Sequence, residues 1–327
     1  MNLRQLEYFI AIVEEGSLSK AAERVHIVQP ALSQHIKSLE EEFGVGLLFR
    51  SSRGVRPTEA GERLVKHARS LLAQFEAMHE FVRGADVEPF GEVRIGVPTT
   101  VSPVLSPRLI KEVGLAYPKI KIRILEPMSG YVSDWLGDGK VDIAVQYRES
   151  DRRDLKFERV FSEEIVLCGG PLSSPGGGRA PGDTIPFREA VSLPLILPNS
   201  GHGLRDLLEE LAKKHMCSLH VSMEIDSYGP IKTMIEQGSA FAVLPMMAVR
   251  SERQQGLIST WRIVEPEVRR NVFLATPIDR PLSVAAVLVN NLVKPVLLRL
   301  VEEKVWEARV ETCHRGALPP EIRAITS

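Results

Sequence analysis

Apolar residues recur at helical spacing along the first 83 positions of the chain. Leu3, Leu6, Ile10 and Val13 fall three or four apart, the stripe of an amphipathic helix that Asn2 caps and Gly16 ends. Ser17 caps a second helix, where Ala21 and Ala22 are small enough for a crossing helix to approach. The chain then turns through His26, Ile27 and Val28. Pro30 suits the N1 position of a third helix. There Leu32, Ile36, Leu39 and Phe43 form one stripe, while Gln29, Pro30, Ser33, Gln34 and Lys37 project from a different face. A helix that needed only solubility would carry Glu and Lys at such positions. Gln, Ser, Gln and a single Lys instead suit base edges and phosphates in a major groove.

Leu47 to Pro57 reads as a hairpin around Ser51-Ser52-Arg53-Gly54, and Arg50, Arg53 and Arg56 make it a cationic wing. The surrounding region is charge-balanced, with 11 Lys and Arg against 11 Asp and Glu in residues 1–83. Thr58 caps a long helix in which Leu64, Ala68, Leu71, Phe75, Met78 and Val82 are spaced by 4, 3, 4, 3 and 4. So narrow a seam predicts pairing with a second copy of the chain.

The polar segment GADVEPFGE is a linker, after which the pattern changes. The runs EVRIGV, KIKIRIL, VDIAVQY, EIVLCG, LPLIL, SLHVSMEI and AFAVLP alternate with helical stretches near Leu105 to Tyr117, from Gly130, from Leu204 to His215 and from Pro230. Alternation of this kind predicts an α/β sheet with helices on its faces. Three strand-to-helix turns are polar or glycine-rich: Pro98-Thr99-Thr100, Ser129-Gly130, and Asn199-Ser200-Gly201-His202-Gly203. Helix N-termini at such turns present free N–H groups to a small organic anion. Alternatively, each hydroxyl caps only its own helix. The stretch PGGGRAPGD reads as a surface loop, and the tail beyond Val305 is expected to begin helically before a poorly ordered end.

Composition adds limits. With 327 residues, 44% apolar and 25% charged, two or three soluble domains are expected. The formal net charge of -1 means that any basic surface is local. Three widely spaced cysteines, Cys168, Cys217 and Cys313, fit a reducing cytoplasm rather than a disulfide framework. The apolar run FIAIV is cut off by Glu14 and Glu15, too short for a signal peptide, and no later stretch is expected to span a bilayer. G-x-S-x-G, H-E-x-x-H and C-x-x-C are all absent, so neither catalysis nor a metal is expected. His215-Met216-Cys217-Ser218-Leu219-His220 reads as a helix end running into a strand whose side chains diverge.

The segment AAERVHIVQPALSQHIKSLEEEFGVGLLFR followed by PTEAG resembles the DNA-binding motif of LysR-type transcriptional regulators. PTT, GDGKVDIAV and AFAVLP resemble that family's effector domain. The resemblance implies an N-terminal all-α winged helix-turn-helix domain with a long linker helix and an α/β effector domain. The latter would have two Rossmann-like subdomains, similar to periplasmic binding proteins. It assigns residues 1–57 to the DNA-binding domain, 58–90 to the linker helix and hinge, 91–305 to the effector domain and 306–327 to a tail. Subdomain I would be 91–163 with 268–305, and subdomain II 164–267. Position by position, Gln29, Pro30, Ser33, Gln34 and Lys37 match the reading helix, and Arg50 and Arg53 the wing. Thr99, Thr100, Ser129, Ser200, Gly201 and His202 match effector turns. The implied partners are promoter DNA, a small effector, RNA polymerase and further copies of the chain in a dimer or tetramer, with no cofactor and no membrane. The C-terminal extension past Val301 is longer than the family usually shows. The alternatives are a small-molecule-binding α/β protein, or an enzyme, fused to a helical assembly module.

Overall fold

In the computed structural model, residues 1–51, 54–83, 88–126 and 131–310 are described. The N-terminal elements are α1 (Leu3–Glu15), α2 (Leu18–Arg24), α3 (Gln29–Phe43), a hairpin of β1 (Leu48–Ser51) and β2 (Gly54–Pro57), and α4 (Glu59–Arg83). Their ends follow from local chemistry. Asn2 and Gln5 form a reciprocal capping box on α1, and Gly16 ends it at φ 59°. Thr58 accepts from the Gly61 N–H at 3.1 Å and so opens α4. Phe9, Ile12, Ala21, Ala22, Leu32, Ile36 and Leu39 form one core with Leu47, Leu48 and Val55 of the wing.

β3 (Phe90–Gly96), α5 (Ser102–Ala116), β4 (Lys119–Leu125), α6 (Val132–Gly137) and β5 (Ile143–Gln146) follow. β3 lies between β4 and β5, parallel to both. The next strand, β6 (Leu155–Gly169), carries the chain from one compact unit (residues 1–158 and 274–294) into a second (159–273 and 295–327). The second unit holds β7 (Thr184–Pro186), α7 (Phe187–Ser192), β8 (Leu195–Leu197), α8 (Gly203–Lys214), β9 (Val221–Glu224), α9 (Tyr228–Glu236), β10 (Phe241–Pro245), a 3-10 turn (Met246–Val249), α10 (Arg250–Gln254) and β11 (Ser259–Val264). β12 (Arg269–Pro277) returns to the first unit. α11 (Val284–Glu302) starts in the first unit and passes back into the second at residue 295, where β13 (Ala308–Arg309) also lies.

In the second unit β6 is flanked by β10 and β11, both antiparallel to it, while β8 runs parallel to β10 and β9 parallel to β8. Its core gathers Ile165, Leu167, Cys168, Ile196, Leu208, Ile231, Val243 and Trp261. The α/β architecture behind a helical winged head is therefore the one the sequence predicts.

Several expectations need correction. α3 begins at Gln29, one residue before Pro30, and Phe43 at the end of its apolar stripe is 44% exposed because α3 stops there. The tail beyond Val305 does not begin helically: α11 ends at Glu302, Lys304 takes φ 54°, and the chain returns as β13. Among the described residues one stretch does have the length and mean hydropathy (1.7) of a membrane span, namely α11. Packing explains its composition, since Ala285, Ala286, Val289, Val293, Val296, Leu297 and Leu300 are all buried.

Candidate functional site

α3 buries Leu32, Ile36 and Leu39 completely, and this fixes which way its other face points. Gln29, Pro30, Gln34 and Lys37 are exposed on that face, with Ser33 half-buried among them. Few internal bonds hold them. Ser19 of α2 donates to Gln29 Oε1 at 3.3 Å, and Lys37 pairs with Glu41 one turn on at 3.7 Å. The acidic run Glu40-Glu41-Glu42 intrudes less than its charge suggests. Glu40 turns away to accept the Leu47 and Leu48 N–H groups at 2.8 and 3.2 Å, fastening the wing to the end of α3.

In the wing, β1 and β2 pair from Leu48↔Pro57 to Ser51↔Gly54. Gly54 is required: its φ is +121°, and a Cβ there would stand 2.6 Å from the Gly16 carbonyl oxygen. That oxygen accepts the Val55 N–H at 2.9 Å, so the hairpin is pinned to the end of α1. Arg50 and Arg56 are exposed, with Arg50 reaching Glu40 at 3.7 Å. Arg53 lies outside the described residues.

The seam of α4 divides in two. Ala68 is buried, whereas Leu71, Phe75, Met78 and Val82 are 46%, 38%, 53% and 78% exposed, a run that water does not favour. Met1, Leu3, Leu6, Leu71, Gln74, Phe75 and Met78 line a groove of about 550 Å³ between α1 and α4. Beside it, the buried Arg69 donates to Glu14 of α1 at 2.8 Å. Arg24 of α2 donates to the same carboxylate. Burial pushes the Glu14 carboxyl up, but the bonds and charges of Arg69 and Arg24 outweigh it and hold the group below the usual carboxylate range.

In the first unit, GDGKVDIAV places Asp142 in a cradle. It accepts the Arg94 N–H at 2.9 Å and the Arg94 guanidinium at 3.0 and 3.2 Å, with Arg280 3.6 Å away. Gly139 takes φ +66°, and a Cβ there would meet the Arg69 side chain at 3.2 Å. At the end of β3, Thr99 is exposed and the Thr100 hydroxyl meets the Tyr147 hydroxyl at 2.5 Å. No side chain caps α5, so these hydroxyls are not merely capping groups. Ser129 lies outside the described residues.

In the second unit, His202 does cap its helix: its Nδ1 accepts the Leu204 N–H at 3.2 Å. That bond requires a neutral ring. Burial, helped by the Arg270 charge, lowers the His202 pKa and keeps it neutral. The ring stands edge-on to Tyr228 at 5.9 Å between centroids. Gly201 donates to Asp206 at 3.1 Å, and Asn199 donates twice to Asp226 at 2.7 and 3.0 Å. Ser200 is exposed on the same turn. Thus Asn199, Ser200, Gly201 and His202 share one turn, with Tyr228 and Arg270 behind it. Tyr147, Tyr228 and Arg270 were not singled out from sequence; only their places at strand or helix ends hinted at them.

Other chemistry finds little support. Burial pushes the Cys168 thiol up, which leaves it inert. The His215 ring faces Phe187 while His220 bonds the Ser192 carbonyl, so these two histidines diverge. Among the described residues no three His, Cys, Asp or Glu side chains could hold a metal together.

Comparison with known proteins agrees with this geometry. Residues 3–62 match the family profile described as bacterial regulatory helix-turn-helix protein, lysR family, and residues 87–296 match LysR substrate binding domain. The chain is similar to the nitrogen assimilation regulatory protein nac of Escherichia coli (strain K12), 33% identical over 311 residues, covering 94% of this chain and 99% of that one. Among solved structures it resembles full-length OxyR from Pseudomonas aeruginosa, a cysteine-to-aspartate variant, at TM-score 0.74 and 26% identity, covering 91% of this chain and 94% of that one. It shares its fold with CbnR in complex with target DNA, at TM-score 0.60 and 22% identity, covering 92% and 98%. A polar α3 face over an apolar core, an arginine wing and an α/β domain matched along its length make one consistent set: the chain belongs to the LysR family of DNA-binding transcriptional regulators, which are not enzymes.

Proposed function

We propose that the chain binds its promoter through Gln29, Pro30, Ser33, Gln34 and Lys37 in the major groove, with Arg50 and Arg53 on the neighbouring backbone and minor groove. The observation that carries this reading is the exposed Gln, Ser, Gln and Lys face of α3 above its wholly buried Leu32, Ile36 and Leu39. Short amide and hydroxyl groups on a rigid helix suit base-edge hydrogen bonds, and the arginines suit phosphates. Two copies assemble along α4, burying Leu71, Phe75 and Met78, and dimers pair into tetramers on an interrupted inverted repeat. The assembly works in the cytoplasm and contacts RNA polymerase.

The effector domain takes a small organic anion, with Thr99, Thr100, Ser129, Ser200, Gly201 and His202 as its contacts. Subdomain I is residues 91–163 and 268–305, and subdomain II residues 164–267. Polar strand-end turns that face helix N-termini support an anion. Ligand binding shifts the population of subdomain arrangements and with it the spacing of the reading heads and the DNA bend. Some relatives are hydrogen peroxide-inducible genes activators, and a peroxide response finds no support from Cys168, whose thiol is buried.

Gel shifts with the DNA upstream of the chain's own gene test the promoter reading. A specific complex at nanomolar protein that weakens steeply with salt is expected. Equal affinity for all sequences at every salt concentration contradicts it.

A further inference from the structure

The segment that follows α11 lies beyond residue 296, where the match to the effector-domain profile ends, and the reading above gives it no task. It is nonetheless tightly built in. Trp306 is 1% exposed and stands edge-on to Phe161 of β6, with 4.8 Å between ring centroids. Its indole N–H donates to Glu163 Oε2 at 2.9 Å. Glu163 is wholly buried, and its other oxygen accepts from Arg270 Nε of β12 at 2.5 Å. A carboxylate removed from water is tolerated only when donors satisfy it. One donor here comes from β12 and the other from residue 306. Phenylalanine would keep an aromatic ring against Phe161, with part of the indole's space left unfilled, and would leave Glu163 Oε2 without that bond.

Two residues on, the chain adds a strand. Ala308 pairs with Glu163 and Arg309 with Ser162, antiparallel. The Arg309 guanidinium then clasps both oxygens of Glu267, each at 3.0 Å, just before β12 begins. On β12 itself, Arg269 donates back to the Ser162 carbonyl at 2.7 Å and its hydroxyl at 3.1 Å. Three residues of the segment, Trp306, Ala308 and Arg309, therefore tie β6 at 161–163 to β12 and its approach at 267–270. These are the two strands that carry the chain between its compact units; α11 makes the third passage, at residues 294–295. Arg270 also lies against Tyr228, whose ring meets His202 of the candidate effector turn.

We propose that residues 306–309 are a hinge brace: they lock the two crossover strands together and, through Trp306 and Glu163, position Arg270 behind Tyr228 and His202. Strands that link two lobes absorb the dihedral change when the lobes move, so a brace on both sets how readily that movement occurs. Trp306 is a positioning residue in this arrangement. Only the consequence for ligand response rests on the effector reading; the brace itself does not.

Hydrogen exchange on the full-length protein tests it, with Trp306→Phe, Arg309→Ala and the double variant. The phenylalanine keeps the ring against Phe161, which protects the fold while deleting the indole donor. In the double variant, exchange at residues 161–164 and 267–271 is expected to accelerate at least tenfold, each single variant giving a smaller acceleration. Amides of β3 and of α1 to α3 stay within twofold of the parent, and so does affinity for the upstream DNA. No acceleration at 161–164 and 267–271 overturns the brace. Equal acceleration throughout the chain also overturns it, by reducing the segment to general stability. Thermal shifts with acetate, succinate and sulfate separate the two readings. If no probe shifts the parent while the exchange result holds, the effector reading fails and the brace stands.

Discussion

The reading head and the candidate effector turns are built on opposite terms. On α3, Gln34 and its neighbours stand in water with a weak tie at Gln29 and an exposed ion pair at Lys37. In the effector domain three of the candidate groups are already engaged: Thr100 with Tyr147, Gly201 with Asp206, and His202 with the N–H of its own helix. A surface that must meet a rigid duplex gains from standing ready, since nothing has to be broken on contact. A sensor gains from the reverse. When a ligand replaces internal bonds, it interacts differently with two arrangements of the protein, and only such a difference shifts their populations.

The largest expected effect breaks the head itself. Glu14→Ala leaves the buried Arg69 guanidinium without its carboxylate and is expected to cost about 3 kcal/mol in urea unfolding. Removing the exposed Lys37–Glu41 pair should cost less than about 1 kcal/mol. Similar costs for the two would show that burial at Arg69 does not set its worth. A smaller effect distinguishes wing from helix. Arg50→Ala should weaken binding to all DNA sequences alike and lower the slope of log affinity against log salt by about 1. A loss confined to one sequence would move Arg50 into base reading.

A modest effect belongs to the effector turn. Because His202 is held neutral with its pKa below 6.5, the folded state takes up a proton less readily than the unfolded chain. Its contribution is complete above about pH 6.5 and is lost as pH falls from there through the folded pKa. Replacing it with alanine should cost about 1 kcal/mol at pH 7.5 and flatten that part of the stability profile. A profile unchanged by the substitution would remove His202 from the cap.

The head was legible in the sequence because its signals are local. Asn2, Ser17, Gly16 and Thr58 mark helix ends within a few residues of the groups they serve, and the spacing of Leu32, Ile36 and Leu39 names its own buried face. Phe43 misled because periodicity does not say where a helix meets the edge of its core. The turns at Thr99-Thr100 and at Asn199 to Gly203 were legible as turns, but Tyr147, Tyr228 and Arg270 were not. Glu163 and Arg270 are 107 residues apart, and nothing near either announces the other. β13 was missed for the same reason. Two residues carry no period, and Ala308 and Arg309 become a strand only because β6 offers an edge.

The most direct test of the account compares Gln34→Ala with the parent on the upstream DNA and on unrelated DNA at one salt concentration. Specific affinity is expected to fall by about 1–3 kcal/mol while nonspecific affinity stays near its original value. An equal loss on both DNAs would contradict base reading by α3.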